Sequence, residues 1–281
     1  MTAHQSIALL AAESAIRDGG VPATLPDPIR ETPTYVLTRD AFLLRLPSGL
    51  RFLYRKGHGV VVERPDTVSE TDVTAFLNGS VYGAIVWLNG MVPLHASGVV
   101  HNGRVHAFTG HSGAGKSTLA SALAAHAMPL MTDDVLVLDL SDPSAVVCLP
   151  GHKQVKLWPD AVELTEAGVI GRVRRDVEKL YVTPAAGYYP EPLPLAELFF
   201  LDATSKTEVA FRPVTGAMRF TLAQAAFFRP LFCNLLGGSG ALFGVLSRIS
   251  AQVAIARFDR PKNKALFADG VAAMAAHIRA S

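Results

Sequence analysis

Gly110-His111-Ser112-Gly113-Ala114-Gly115-Lys116-Ser117 decides the reading of this chain. It matches G-x-x-x-x-G-K-[ST] in full. Gly110, Gly113 and Gly115 let the backbone curl until successive N–H groups aim at one point, which makes an anion nest. A following helix adds the positive end of its dipole. Lys116 supplies a point charge for the outer phosphates of a nucleoside triphosphate, and the Ser117 hydroxyl is placed to bind Mg²⁺. Gly110, His111, Ser112, Gly113, Ala114, Gly115, Lys116, Ser117 and Thr118 are therefore the candidate nucleotide contacts, with ATP and Mg²⁺ the expected cofactors. A plain glycine turn would not require Lys-Ser at the start of a helix.

Upstream lie two apolar runs, Ala96–His101 and Arg104–Thr109, joined by Asn102-Gly103. Both residues of that dipeptide accept positive φ, so a two-residue hairpin is predicted. Its register sets His101 against Arg104 and Val100 against Val105. Counted back, His95 falls opposite Gly110, at the mouth of the phosphate loop, where it could orient a carboxylate or stabilise transferred charge. Downstream, Lys116–Ala127 reads as a helix stopped by Pro129. Leu130–Thr132, Val135–Leu140 and Ala145–Leu149 read as strands. The first is expected to return beside the P-loop strand, with Asp133 and Asp134 at its carboxyl end, where open α/β sheets bind ligands. Carboxylates there can hold Mg²⁺ or take the proton of an attacking hydroxyl. Asp133 is assigned with Ser117 to the metal, and His95, Lys116, Asp133 and Asp134 to catalysis.

Further out the pattern alternates. Tyr35–Leu37, Ala41–Leu46, Leu50–Tyr54 and Gly59–Val62 are short strands divided by Gly, Pro and Asp. A helix is predicted within Asp72–Leu88, capped by Asp72, with Asn78-Gly79 interrupting it. After residue 150, helices are expected at Trp158–Ala167, Thr221–Phe228, Ala241–Ala251 and Lys264–Ala280. Strands are expected at Leu198–Leu201, Glu208–Arg212 and Gln252–Phe258. The mixture is α/β with some antiparallel pairing. The division expected is a β-rich N-terminal subdomain over 1–90 and a P-loop domain over 91–281.

Composition excludes little but narrows the setting. The chain has 281 residues, 49% apolar and 18% charged, with a net charge of +2. That length suits one large α/β domain or one with a smaller attachment. The charge gives no reason to expect nucleic acid. No run approaches the ~18 apolar residues of a bilayer span, so no membrane is expected. Met1–Gly20 lacks a basic start and reads as a surface helix instead of a signal peptide. Two cysteines, Cys148 and Cys233, make neither a disulfide framework nor a metal site, which suits a reducing cytoplasm.

These residues resemble the HPr kinase/phosphorylase superfamily, and within it the shorter relatives that include lasso-peptide precursor kinases. The resemblance is carried by Leu94-His95-Ala96-Ser97, the hairpin, Gly110–Thr118, Thr132-Asp133-Asp134 and Pro150–Asp160. It implies a P-loop kinase domain of the type shared with phosphoenolpyruvate carboxykinase, preceded by the β-rich subdomain. It implies transfer to a serine of a protein or peptide, such as the C-terminal serine of a lasso-peptide precursor, and a homo-oligomer. The glutamate-containing signature of HPr kinases has no counterpart; Gly151–Asp160 stands in its place. That puts the reverse reaction, and HPr as substrate, in doubt. Asp160 is a substitute metal ligand on this reading, and Lys153 or Lys156 a phosphate contact. His152 is a loop histidine that nothing fixes at the site.

Arg172, Arg174, Arg175 and Lys179 form a basic cluster in a predicted loop and short helix, read first as a solvated face. Arg229, among aromatic residues, could clamp a phosphate or carboxylate. An ABC-type ATPase would need an apolar strand ending in Asp-Glu and an LSGGQ-like stretch; Leu235–Gly240 imitates the latter poorly. A small-metabolite kinase and a nucleotide-binding regulator without turnover are the remaining alternatives.

Overall fold

The computed structural model describes residues 1–151, 154–174 and 177–281. The chain forms two compact units, Met1–Pro93 with Arg229–Phe243, and Leu94–Phe228 with Gly244–Ser281. The first contains α1 (Ala3–Glu13), β1 (Ile16–Asp18), β2 (Arg30–Glu31), β3 (Tyr35–Leu37), β4 (Ala41–Arg45), β5 (Arg51–Arg55), β6 (Gly59–Glu63), α2 (Glu70–Phe76) and α3 (Tyr82–Leu88). The expected short strands are there, bounded almost as predicted, because turn residues mark their ends. They build one six-stranded sheet in the order β1-β6-β5-β4-β3-β2. β1 runs parallel to β6, and the other neighbours pair antiparallel as hairpins. Leu37, Phe42, Leu43, Phe52 and Tyr54 are wholly buried.

Two sequence expectations in this unit are corrected. The cap of α2 is Ser69, whose hydroxyl accepts from the Asp72 amide, while the Asp72 carboxylate answers to the Ser69 amide. Asp72 is thus the third residue of a capping box, not the cap. Asn78-Gly79 does not end the helix: a single π turn, Leu77–Val81, absorbs it and leads into α3.

After β7 (Val92–Leu94) the second unit holds β8 (Ala96–His101), β9 (Arg104–Thr109), α4 (Lys116–Ala124), β10 (Leu130–Thr132), β11 (Leu136–Asp139), β12 (Val147–Leu149), β13 (Val155–Leu157), α5 (Pro159–Val162), β14 (Gly168–Arg174), β15 (Val177–Thr183), β16 (Leu193–Thr204), β17 (Ala210–Pro213) and α6 (Met218–Ala225). α7 (Leu231–Gln252) leads back from the first unit's returning segment, and β18 (Ala254–Pro261) and α8 (Phe267–Ala280) complete the chain. The main sheet runs β10-β8-β9-β16-β12-β11, with β18 beside β16 and β17 beside β18. β9, β16 and β18 are mutually parallel, and the hairpin strand β8 is antiparallel to β9. β13, β15 and β14 form a separate antiparallel sheet. Leu119 and Leu123 of α4 and Met274 and Ile278 of α8 are buried in one cluster with Val99, Phe108, Phe199 and Phe258. Each such side chain contributes roughly 1.5–3 kcal/mol of apolar burial, which fixes the helix behind the phosphate loop.

The second unit also departs from expectation. β10 pairs with β8 and not with the P-loop strand β9, because β8 and β16 occupy both of β9's edges. β10 still runs in the direction of β9, so its carboxyl end lies at the same sheet edge. The helix expected over Trp158–Ala167 shrinks to α5, and the supposed loop and short helix around Arg172 and Lys179 is the hairpin β14–β15. α7 is long and apolar enough to cross a bilayer by length and composition, against the expectation that no run was. It kinks at Gly238, with φ 71° and ψ −179°, inside Gly237-Gly238-Ser239-Gly240.

Candidate nucleotide-binding site

The hairpin decides where the first side chain goes. Asn102 and Gly103 both take positive φ, 46° and 69°, and the ladder runs as predicted from His101–Arg104 to Ala96–Thr109. His95 stands one step beyond, at the end of β9. Its backbone is tied down twice: its amide donates to the Ala226 carbonyl at 2.7 Å, and its carbonyl accepts from Thr109 Oγ1 at 2.9 Å.

The loop between β9 and α4 is held by left-handed glycines, with φ of 145°, 81° and 83° at Gly110, Gly113 and Gly115. Lys116 curls over it and donates to the carbonyls of Gly110 and His111 at 3.1 and 3.3 Å. Burial pushes the Lys116 ammonium pKa down, Asp133 and Asp134 oppose that, and Lys179 adds to it. A residue that sequence reading missed supports the loop from behind. Arg260, on β18, donates to the Ala114 carbonyl at 2.8 Å, and a Cβ on Gly115 would meet its guanidinium at 2.6 Å. Its sequence distance from the loop left no local signal.

The two aspartates occupy the turn between β10 and β11 and differ in kind. Asp133 is buried, and Oδ1 accepts from Ser97 Oγ at 2.5 Å and from Ser117 Oγ at 2.8 Å. Burial raises its pKa and the Asp134 charge adds to this, outweighing the two hydroxyl bonds. Asp134 sits in the left-handed region at φ 71°, which Asp tolerates better than most residues. Its side chain is 38% exposed, and Oδ1 lies 3.3 Å from His95 Nδ1. The same nitrogen is 3.1 Å from the Asp134 carbonyl. Since both neighbours are acceptors, Nδ1 carries the proton. Burial pushes the Asp134 carboxyl up, but the His95 hydrogen bond and the charges of Lys156, His95 and Lys179 bring it below its ordinary value.

One cavity gathers His95, Ser112, Gly113, Gly115, Lys116, Ser117, Thr118, Asp133 and Asp134 with Lys156, Leu157, Trp158 and Lys179. Gly110, His111 and Ala114 do not line it; they act through carbonyls turned to Lys116 and Arg260. Asp160 is not brought in: it pairs with Lys264 at the surface. Arg229 belongs to the first unit, where it donates to Ser80 Oγ and lies among Tyr35, Phe42 and Phe232. His106 is buried against Glu197 at 3.1 Å, away from the cavity. His152, Lys153 and Arg175 lie outside the described residues.

The residues fit a magnesium nucleotide. Ser117 Oγ and Asp133 Oδ1 are adjacent hard oxygens, and Mg²⁺ takes few protein ligands beside phosphate and water. Among the described residues no cluster of three His, Cys, Asp or Glu offers a denser metal site. A buried carboxylate with a like charge beside it also calls for a cation.

The fold and the site define a P-loop nucleotide-binding protein of mixed α/β architecture. A family model described as ABC transporter matches residues 95–165, about a quarter of the chain; that span includes the phosphate loop and the aspartates and ends well before Leu235–Gly240. No curated protein matches the chain in sequence. Among solved structures it is similar to the Hpr(Ser) kinase/phosphatase from Coxiella burnetii, at 11% identity and a TM-score of 0.37, over 66% of this chain and 88% of that one. At that distance the functional reading rests on the side chains themselves.

Proposed function

We propose that this chain is a kinase that transfers the terminal phosphate of ATP to a hydroxyl, that of a serine in a protein or peptide. One observation carries the reading: two adjacent carboxylates at the phosphate loop are set to opposite tasks. Asp133, shared between Ser97 and the P-loop serine, is the metal-supporting group. Asp134, at the cavity wall beside His95, is held ionised and accessible, as a proton acceptor must be. A pure nucleotide binder has no use for it. The serine acceptor is supported by the motif resemblance over His95–Asp160, not by any geometry.

Bound Mg²⁺ and ATP supply the transferable phosphoryl group and the charge that offsets its oxygens. Lys116 exchanges two neutral loop carbonyls for phosphate oxygens, a stronger charge-assisted pairing. The acceptor oxygen forms a bond to the terminal phosphorus, the bond from phosphorus to the ADP oxygen breaks, and the hydroxyl proton passes to Asp134 Oδ. His95 holds Asp134 in line through Nδ1–H. The cavity encloses about 180 Å³, less than the ~300 Å³ where whole-ligand pockets begin. It therefore takes the phosphate end of the nucleotide.

The test is label transfer from γ-labelled ATP, with Mg²⁺, into a size-fractionated extract of the source cell. Lys116→Ala and Asp134→Asn serve as controls; Asn keeps the left-handed backbone. Label on a peptide or protein serine, lost in both variants, is expected. Label confined to small molecules would make the acceptor a metabolite. Bound ATP with no label in any fraction would overturn the kinase reading.

A further inference from the structure

The three-stranded sheet brings to the cavity a face that the mechanism above does not use. In the β13–β15 ladder Lys156 pairs with Tyr181 and Leu157 with Leu180. Side chains alternate across a sheet, so Val155, Leu157 and Val182 point into the core, where they are buried. Lys156 and Trp158 share the opposite face, and Lys179 is the partner one step beyond Leu180. Lys156, Trp158 and Lys179 all line the phosphate cavity. The Lys179 ammonium lies over the Trp158 ring, 5.4 Å from its centroid, and the indole is 48% exposed.

Two arguments turn this face into a reader of phosphate. The first is charge. Three ammonium groups, Lys116, Lys156 and Lys179, converge where two carboxylates stand, and one of those carboxylates is claimed by the metal. The surplus positive charge calls for an anion with more than one ionised oxygen. Lys179 is close enough to act on both Lys116 and Asp134 through its charge, so that anion lies between them, where the outermost phosphate falls. The second is the partner Lys179 has here. A half-exposed cation–π contact is weaker than a hydrogen bond between an ammonium and a phosphate. The ring holds the lysine but does not compete with a phosphate for it.

We propose that Lys179 is the cation that reads the terminal phosphate, and that Trp158 is the seat it leaves to do so. The small sheet then distinguishes a nucleoside triphosphate from a diphosphate. The proposal rests on the kinase reading in one respect, that ATP occupies this cavity.

The experiment is calorimetric titration of the full chain with Mg²⁺·ATP and Mg²⁺·ADP, with indole emission recorded in parallel. Of the two tryptophans, Trp87 is buried in the first unit, so Trp158→Phe assigns the signal. Expected results are an emission change with ATP but not ADP, absent in W158F. Lys179→Met should weaken ATP by about tenfold or more, leave ADP within about twofold, and silence the emission change; Lys179→Arg should restore the ATP preference. Equal weakening of both nucleotides, or none, overturns the proposal while leaving the wild-type chain a nucleotide binder. A wild-type chain that binds neither nucleotide overturns the functional reading and this proposal with it. Thermal melting of each variant excludes unfolding as the cause.

Discussion

Asp133 carries its charge where burial disfavours it, and that has a measurable sign. Its carboxyl pKa is higher in the folded chain than in the unfolded one, so folding favours the protonated form. The resulting stabilisation is full below the unfolded value, about 4, and is lost as pH rises through the raised value. Above that raised value the ionised group opposes folding. Asp133→Asn should therefore raise the melting temperature of the metal-free chain at pH 7, by about 2–4 °C for each kcal/mol gained. Mg²⁺ with nucleotide should stabilise wild type and leave this variant nearly unmoved. A lower melting temperature for the variant at pH 7 would show that the hydroxyl bonds from Ser97 and Ser117 outweigh burial. Asp134 has the opposite sign: its carboxyl is depressed, so its contribution is present above the unfolded value and lost as pH falls through the folded one.

At the scale of elements, the turn that presents the aspartates is braced by a glycine outside it. A Cβ on Gly151 would meet Thr132 Oγ1 at 2.1 Å and Thr132 Cβ at 2.7 Å. Thr132 is buried and ends β10, so it cannot withdraw without moving Asp133. Gly151→Ala should cost about 1–3 kcal/mol in denaturant melts and weaken Mg²⁺-dependent nucleotide binding. Gly168→Ala, where an added Cβ meets nothing within 4 Å, should stay within about 0.5 kcal/mol. Equal effects of the two would remove Gly151 from this role. The elements also show which parts of the site were legible in sequence. The phosphate loop and the β8–β9 register were, because a glycine spacing and an Asn-Gly turn are local signals that fix backbone geometry by themselves. The β13–β15–β14 sheet was not. Val169 and Ile170 are exposed, and the pairing bulges between Val169 and Gly171 and again between Arg172 and Arg174, so the two-residue period that marks a strand is broken. Lys179 consequently read as a solvated charge, and only tertiary pairing carries it to the cavity. Arg260 escaped for the same reason.

At the scale of the molecule, the first unit is discontinuous. Phe232, from its returning segment, is 1% exposed and packs its ring 5.6 Å from Tyr35 and 5.7 Å from Phe42. The fragment 1–93 should therefore fail to melt cooperatively by circular dichroism, and Phe232→Ala in the full chain should cost about 3–5 kcal/mol. A fragment that melts like the intact first unit would show that the segment is dispensable. The boundary between the units is crossed by the backbone at 93/94, 228/229 and 243/244. No single crossover between two related genes can exchange either unit whole: whichever boundary it falls on, one parent contributes residues to both sides. One exchange at 93/94 parts the first unit's sheet from the phosphate loop but leaves the returning segment behind with the other parent, so a unit is inherited whole only when recombination strikes all three boundaries in register.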